Sequence, residues 1–143
     1  MASAIDRCIG RGQDAILLIG RLALAALFVE SSFHKLADWG AFIAMLANQG
    51  APMPEILAVV GVLFEAAGTI GVVLGARTRA SSLLLIAFTA AATVIAHHFW
   101  TLEGAARAGQ AIHFMKNVAI IGGFLILSAA GPGRFSLDHR RSR

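Results

Sequence analysis

A chain of 143 residues with 57% hydrophobic and only 14% charged side chains, and a mean hydropathy of +0.74, is long enough for one domain but too poor in polar groups to cover its own surface in water. The net charge of +4 does not indicate nucleic acid, because the basic residues are scattered through short loops and termini, with no basic helix and no aromatic interleaving. The single cysteine, Cys8, has no internal disulfide partner, which excludes dithiol redox chemistry within the chain.

The fold class that follows is an all-α membrane protein: an antiparallel bundle of four transmembrane helices in a lipid bilayer. A spanning helix needs roughly 20 mostly apolar residues, and the sequence predicts spans at about 15–35, 55–75, 80–100 and 112–130. Residues 1–14 are read as a cytoplasmic N-terminal segment, 15–131 as the transmembrane domain and 132–143 as a basic cytoplasmic tail. Arg21 and Glu30 interrupt the first span. Arg21 also breaks the apolar run that a signal peptide would need, and no small-x-small cleavage site precedes Glu30, so this span is expected to be retained.

The first loop, 36-LADWGAFIAMLANQGAPMP-54, repeats Phe42, Met45 and Leu46 at helical spacing, which predicts a short interfacial helix before prolines turn the chain into the second span. The second span carries Gly61, Gly68, Gly71 and Gly75, a stripe expected to let another helix approach closely. The loop 75-GARTR-79 is so short that the second and third spans must form an antiparallel hairpin. Arg21 and Glu65 are predicted to form a structural intramembrane ion pair, since an unpaired charge at that depth is costly.

Four spans put both termini on one side. That side would hold Arg7, Arg11, Arg77, Arg79, Arg134, Arg140, Arg141 and Arg143, against Lys35, Arg107 and Lys116 on the other. The positive-inside rule then predicts cytoplasmic termini in a bacterial-type inner membrane, with Trp39 and Trp100 at the outer interface. The tail 134-RFSLDHRRSR-143 is read as a topology signal that also attracts anionic lipid.

At the outer side the chain gathers titratable groups. His97 and His98 end the third span. His113, Lys116 and Asn117 open the fourth on one helical side, and Glu30 and His34 sit one turn apart near the end of the first, beside Lys35. Adjacent histidines point about 100° apart, so at most one of His97 and His98 should face inward. Taken singly, such residues often only bind headgroups, water or loop carbonyls. Taken as a set, they supply donors and proton carriers for a quinone headgroup. A metal or haem is not predicted, because no HxxxH, HExxH or Glu-x-x-His pair is present. A proton or small-solute permease would also use intramembrane ionisable groups, but four helices without an internal repeat leave little room for alternating access.

The segments 20-GR-21, 33-FHKLADW-39, 65-EAAGTIG-71, 75-GARTRAS-81, 98-HFW-100, 113-HFMKN-117, 122-GG-123 and 131-GPGRFSLD-138 together resemble the DoxX family of small four-helix membrane proteins, over nearly the whole chain. The resemblance implies kinship with the small membrane subunit of thiosulfate:quinone oxidoreductase and with membrane complexes that handle oxidative or sulfur stress. It carries over to Arg21, Lys35, Glu65, His98, His113, Lys116 and Asn117, while Glu30, His34 and His97 lie outside the matched positions. The expected function is a quinone-interacting membrane subunit that receives electrons from other redox subunits, with a homo-oligomer among the arrangements it allows. The alternative is a non-catalytic anchor or assembly platform for a redox partner.

Overall fold

The computed structural model describes residues 4–141, which form helices joined by short turns with no strand among them. The long helix α1 spans Ala4–Ala37 and the short α2 Trp39–Asn48. They are followed by α3 (Pro54–Leu74), α4 (Thr78–Ala96), a single 3-10 turn (Phe99–Thr101), α5 (Gly104–Ala130) and α6 (Leu137–Arg141). Four stretches are long and apolar enough to cross a membrane: Gly12–Ala37, Pro54–Leu74, Thr78–Thr101 and Gly104–Ala130. The four-span bundle and the short helix in the first loop are therefore as expected. Among the residues used to predict orientation, Arg143 and the side chains of Arg7 and Arg11 lie outside the described residues, as does that of Cys8.

The boundaries differ where polarity misleads. The last spanning helix starts at Gly104, well before position 112, because 104-GAARAGQA-111 is alanine-rich and helix-forming although too polar to register as membrane-spanning. Conversely, α4 stops at Ala96, and His97 leaves the helix with φ −128°. The N-terminal segment is helical from Ala4, continuous with the first span.

Local chemistry sets each turn. Asp38 caps α2 by accepting from Ala41 N at 3.0 Å. Pro54 opens α3, where its missing N–H costs nothing. Gly75 ends α3 with φ 63°, which lets Ala76 N reach back to Gly71 O at 2.9 Å and closes the tight α3–α4 hairpin. Of the predicted glycine stripe, Gly68 and Gly71 press against α4, Gly61 makes ordinary contact with Phe88, and Gly75 meets Ser136 and Arg21. A Cβ on Gly68 would fall 2.7 Å from Leu85 Cγ, and one on Gly71 would overlap Ser81 Oγ. Around this contact α1, α3, α4 and α5 enclose Ala25, Phe28, Val72, Leu85, Phe124 and Leu127. Phe28 sits 5.5 Å from the Phe124 ring and 6.3 Å from that of Phe88.

The bundle has two dissimilar ends. At the tail end the α3–α4 hairpin meets the segment after α5. Arg21, buried in α1, donates to Pro132 O at 2.8 Å and to Phe135 O at 2.7 Å. Asp138 accepts from Arg77 N at 2.7 Å and from Thr78 N and Oγ1 at 2.8 and 2.9 Å, while its own N–H donates to Gly75 O at 2.9 Å. It thus caps α4 from 60 residues away. The tail, read from the sequence as a topology signal that attracts anionic lipid, is also a structural element over residues 132–138. This stretch is folded onto the bundle, because its carbonyls accept from both terminal nitrogens of a buried guanidinium and Asp138 caps an otherwise uncapped helix start.

Burial alone would raise the Asp138 carboxyl, but the N–H groups of Thr78 and Arg77, the Thr78 hydroxyl and the charge of Arg141 hold it below the ordinary aspartate value. A depressed carboxyl stabilises the fold above its unfolded-state value, and that contribution is lost as pH falls through the folded-state value. Asp138→Asn is expected to cost about 1–2 kcal/mol at pH 7. In thermal unfolding followed across pH, the gap between the two proteins closes below about pH 4.

Candidate functional site

The deepest charged pair is not the one predicted. Glu65 is completely buried near the middle of α3, and both of its carboxylate oxygens accept from Lys35 Nζ, at 2.9 and 2.8 Å. The Arg21–Glu65 pairing is therefore wrong. Arg21 lies level with Gly75, since a Cβ there would come 2.7 Å from Arg21 Nη1. Glu65 stands ten residues earlier in α3, about 15 Å away at 1.5 Å per residue, beyond the reach of a guanidinium. Lys35 enters from the opposite end of α1. In a helix the Cα–Cβ bond tilts toward the N-terminus, so a long side chain there extends back into the bundle.

The ammonium is enclosed as well as paired. It stands 4.9 Å from the centroid of Phe88 on α4 and 5.5 Å from that of Phe42 on α2. The short interfacial helix thus covers the ion pair, and its buried anchor is Leu46. Thr69 Oγ1 donates to Glu65 O at 2.6 Å.

A second polar constellation lies at the junction of α4 and α5. His97 Nδ1 stands 2.7 Å from Gln110 Oε1, the imidazole N–H donating. The His97 ring stacks on His113 with centroids 5.3 Å apart and planes 18° apart. One turn deeper, Asn117 Nδ2 donates to Thr93 Oγ1 at 2.8 Å, and Thr93 Oγ1 donates to Thr89 O at 2.6 Å. Phe99, Trp100 and Phe114 form an edge-on aromatic cluster over the same junction, with the His98 ring 6.2 Å from Trp100.

Of the predicted residues, His113 and Asn117 join this constellation. His98 is turned to the backbone, its Nδ1–H donating to Ile95 O at 3.1 Å. Lys116 is exposed on α5. Sequence reasoning missed His97 as the inward histidine, and missed Gln110. The signal was present, because Gln110, His113 and Asn117 follow one another at three and four and share a helix face. Lys35 belongs to the buried pair. Glu30 and His34 lie apart from both groups, on the outside of α1, with Oε1 and Nε2 3.9 Å apart.

Four apolar helices closed over a buried lysine–glutamate pair, with a polar cluster at one end, define a small multi-pass membrane protein. The DoxX family model matches residues 16–98. Inner membrane protein YphA of Escherichia coli is 39% identical over 92% of this chain and 94% of its own length. Inner membrane protein YqjF of the same organism is 28% identical over 88% and 92%. A Surfeit locus protein 4 homolog of Drosophila melanogaster is 26% identical over 92% of this chain but 43% of that longer protein. No solved structure matches. The chain belongs to the DoxX family and is an integral membrane protein.

Proposed function

We propose that this protein is a quinone-interacting membrane subunit of an oxidoreductase complex in the inner membrane, acting in redox or sulfur-stress metabolism. The observation that carries the reading is the His97–His113 stack braced by Gln110. A quinone headgroup is a planar ring with two carbonyl acceptors. Imidazole and aromatic faces suit the ring, and imidazole N–H groups suit the carbonyls. His113 is exposed on α5, so a lipid-soluble ligand meets it from the bilayer without entering the bundle. Reduction of a quinone takes up two electrons and two protons. The electrons would come from a redox-active partner subunit, and the histidines would exchange the protons. Arg77, Arg79, Arg134, Arg140 and Arg141 crowd the tail end, which the positive-inside rule assigns to the cytoplasm. The histidine end then faces the opposite aqueous phase.

The test is quinone retention after mild solubilisation, read by extraction and mass spectrometry. Wild-type protein should retain quinone at near-stoichiometric amounts. His113→Ala and His97→Ala should retain at least tenfold less, while His98→Ala stays within twofold of wild type, since its imidazole serves the backbone. Equal retention by all four proteins sinks the proposal. The alternative is an anchor for a redox partner, and the outward Glu30–His34 pair is the observation that favours it.

A further inference from the structure

The Lys35–Glu65 pair is short of hydrogen bonds. Its two side-chain bonds both run from Lys35 Nζ to the Glu65 carboxylate. With those made, an ammonium still has a donor to give and a carboxylate still has lone pairs. Glu65 is fully buried. A buried ion pair repays its desolvation only when its remaining protons and lone pairs are met as well.

Two hydroxyls beside the pair also lack partners. Ser32 Oγ and Thr89 Oγ1 are buried, and neither has a hydrogen-bond partner among the described residues. Thr89 is 4% exposed. Phe88 ties both to the pair. Its ring centroid lies 4.9 Å from Lys35 Nζ and 6.3 Å from that of Phe28. Ser32 falls between Phe28 and Lys35 on α1, at helical spacing from each and so on their face. The Lys35 side chain runs back toward the helix N-terminus and passes Ser32. Thr89 directly follows Phe88. Gly68 faces Leu85 and Gly61 faces Phe88, so Glu65 lies opposite the segment 85–88. Side chains lean toward the N-terminus of their own helix, and α3 and α4 are antiparallel, so those of Glu65 and Thr89 converge in height.

We propose that water binds here inside the bundle, held by Ser32 Oγ, Thr89 Oγ1, the remaining Lys35 N–H and the spare lone pairs of Glu65. Buried water typically makes about three hydrogen bonds to polar groups that have no other partner, and these four groups fit that description. The water accepts from the ammonium and donates to the carboxylate, which gives Glu65 a proton-exchange partner besides Lys35. It completes the hydrogen bonding of the pair without replacing the charge of the ammonium. Through Thr89, whose carbonyl accepts from Thr93, the site adjoins the Asn117–Thr93 bond and the polar cluster at the α4–α5 junction. The inference stands independently of the quinone reading.

Solid-state NMR of the protein in bilayers, read as polarisation transfer from water, tests it. Signal should build up at the Thr89 side chain at least about threefold faster than at Leu85 and Phe124, which are fully buried in apolar surroundings. Thr89→Val keeps the size of the side chain and removes only the hydroxyl. If that hydroxyl were simply unpaired, the change would relieve an unmet buried group and raise the thermal midpoint. At a water site bridged to an ion pair it should lower the midpoint, as should Ser32→Ala. In the Lys35→Met, Glu65→Leu background the lowering by Thr89→Val should vanish. Build-up at Thr89 as slow as at Leu85 overturns the proposal whatever the variants do, because the hydroxyl then meets the pair directly or not at all. A midpoint raised or unchanged in both single variants overturns it too.

Discussion

Lys35→Met is expected to destabilise the bundle by about 3–5 kcal/mol, the usual consequence of stranding one member of a buried ion pair. Glu65 has no exposure, and Lys35 supplies both of its side-chain hydrogen bonds. Removing the ammonium leaves the carboxylate in a medium that cannot solvate it. Glu65→Gln strands the ammonium instead, but more mildly, because the Lys35 side chain is 19% exposed and can extend toward the interface. Combining Lys35→Met with Glu65→Leu should recover most of the loss, since a well-packed apolar pair is often as stable as the ion pair it replaces. Equilibrium unfolding in mixed micelles gives the three differences and, with the Glu65→Leu single variant added to close a double-mutant cycle, the coupling. A Lys35→Met protein within 1 kcal/mol of wild type would mean that the pair does not form in the membrane.

Arg21→Met should have an effect of about 3 kcal/mol, with a different spatial signature. Two charge-assisted hydrogen bonds to Pro132 O and Phe135 O are lost, each worth about 1.5–3 kcal/mol. The carbonyls they satisfied are left at the bundle edge. The loss should therefore show as local release: faster amide exchange over 132–138 and new protease sensitivity there, with the α4–α5 junction unchanged. Arg21→Lys should restore only part of the protection, because one ammonium cannot span two carbonyls in the fork geometry of guanidinium. Arg21 and Lys35 act at different heights of α1, so their effects should add. Unchanged exchange at the tail in Arg21→Met would show that residues 132–138 are held by other contacts.

The candidate site was only partly legible in the sequence. His113 and Asn117 could be assigned to one side of a helix, and they join one cluster. The choice between His97 and His98 could not be made from spacing. It depends on the helix ending at Ala96, and beyond a helix end the 100° rule no longer says where a side chain points. The Arg21–Glu65 pairing failed for a related reason. Sequence gave each charge a depth within its own span, but matching two spans requires their relative axial offset, which the Gly75–Arg21 contact sets.

By itself the sequence determined the four spans, the short first-loop helix, the tight α3–α4 hairpin and the close-packing glycine face. These follow from local propensity, from the length of apolar runs and from the scarcity of polar surface. Only the tertiary structure decided which charges meet: Lys35 with Glu65 inside the bundle, Arg21 with the folded-back tail, Asp138 with the start of α4, and Glu30 on the outer face. The physical reason is range. Periodicity reports on one helix at a time, whereas a hydrogen bond depends on ångström-scale offsets between helices distant in sequence.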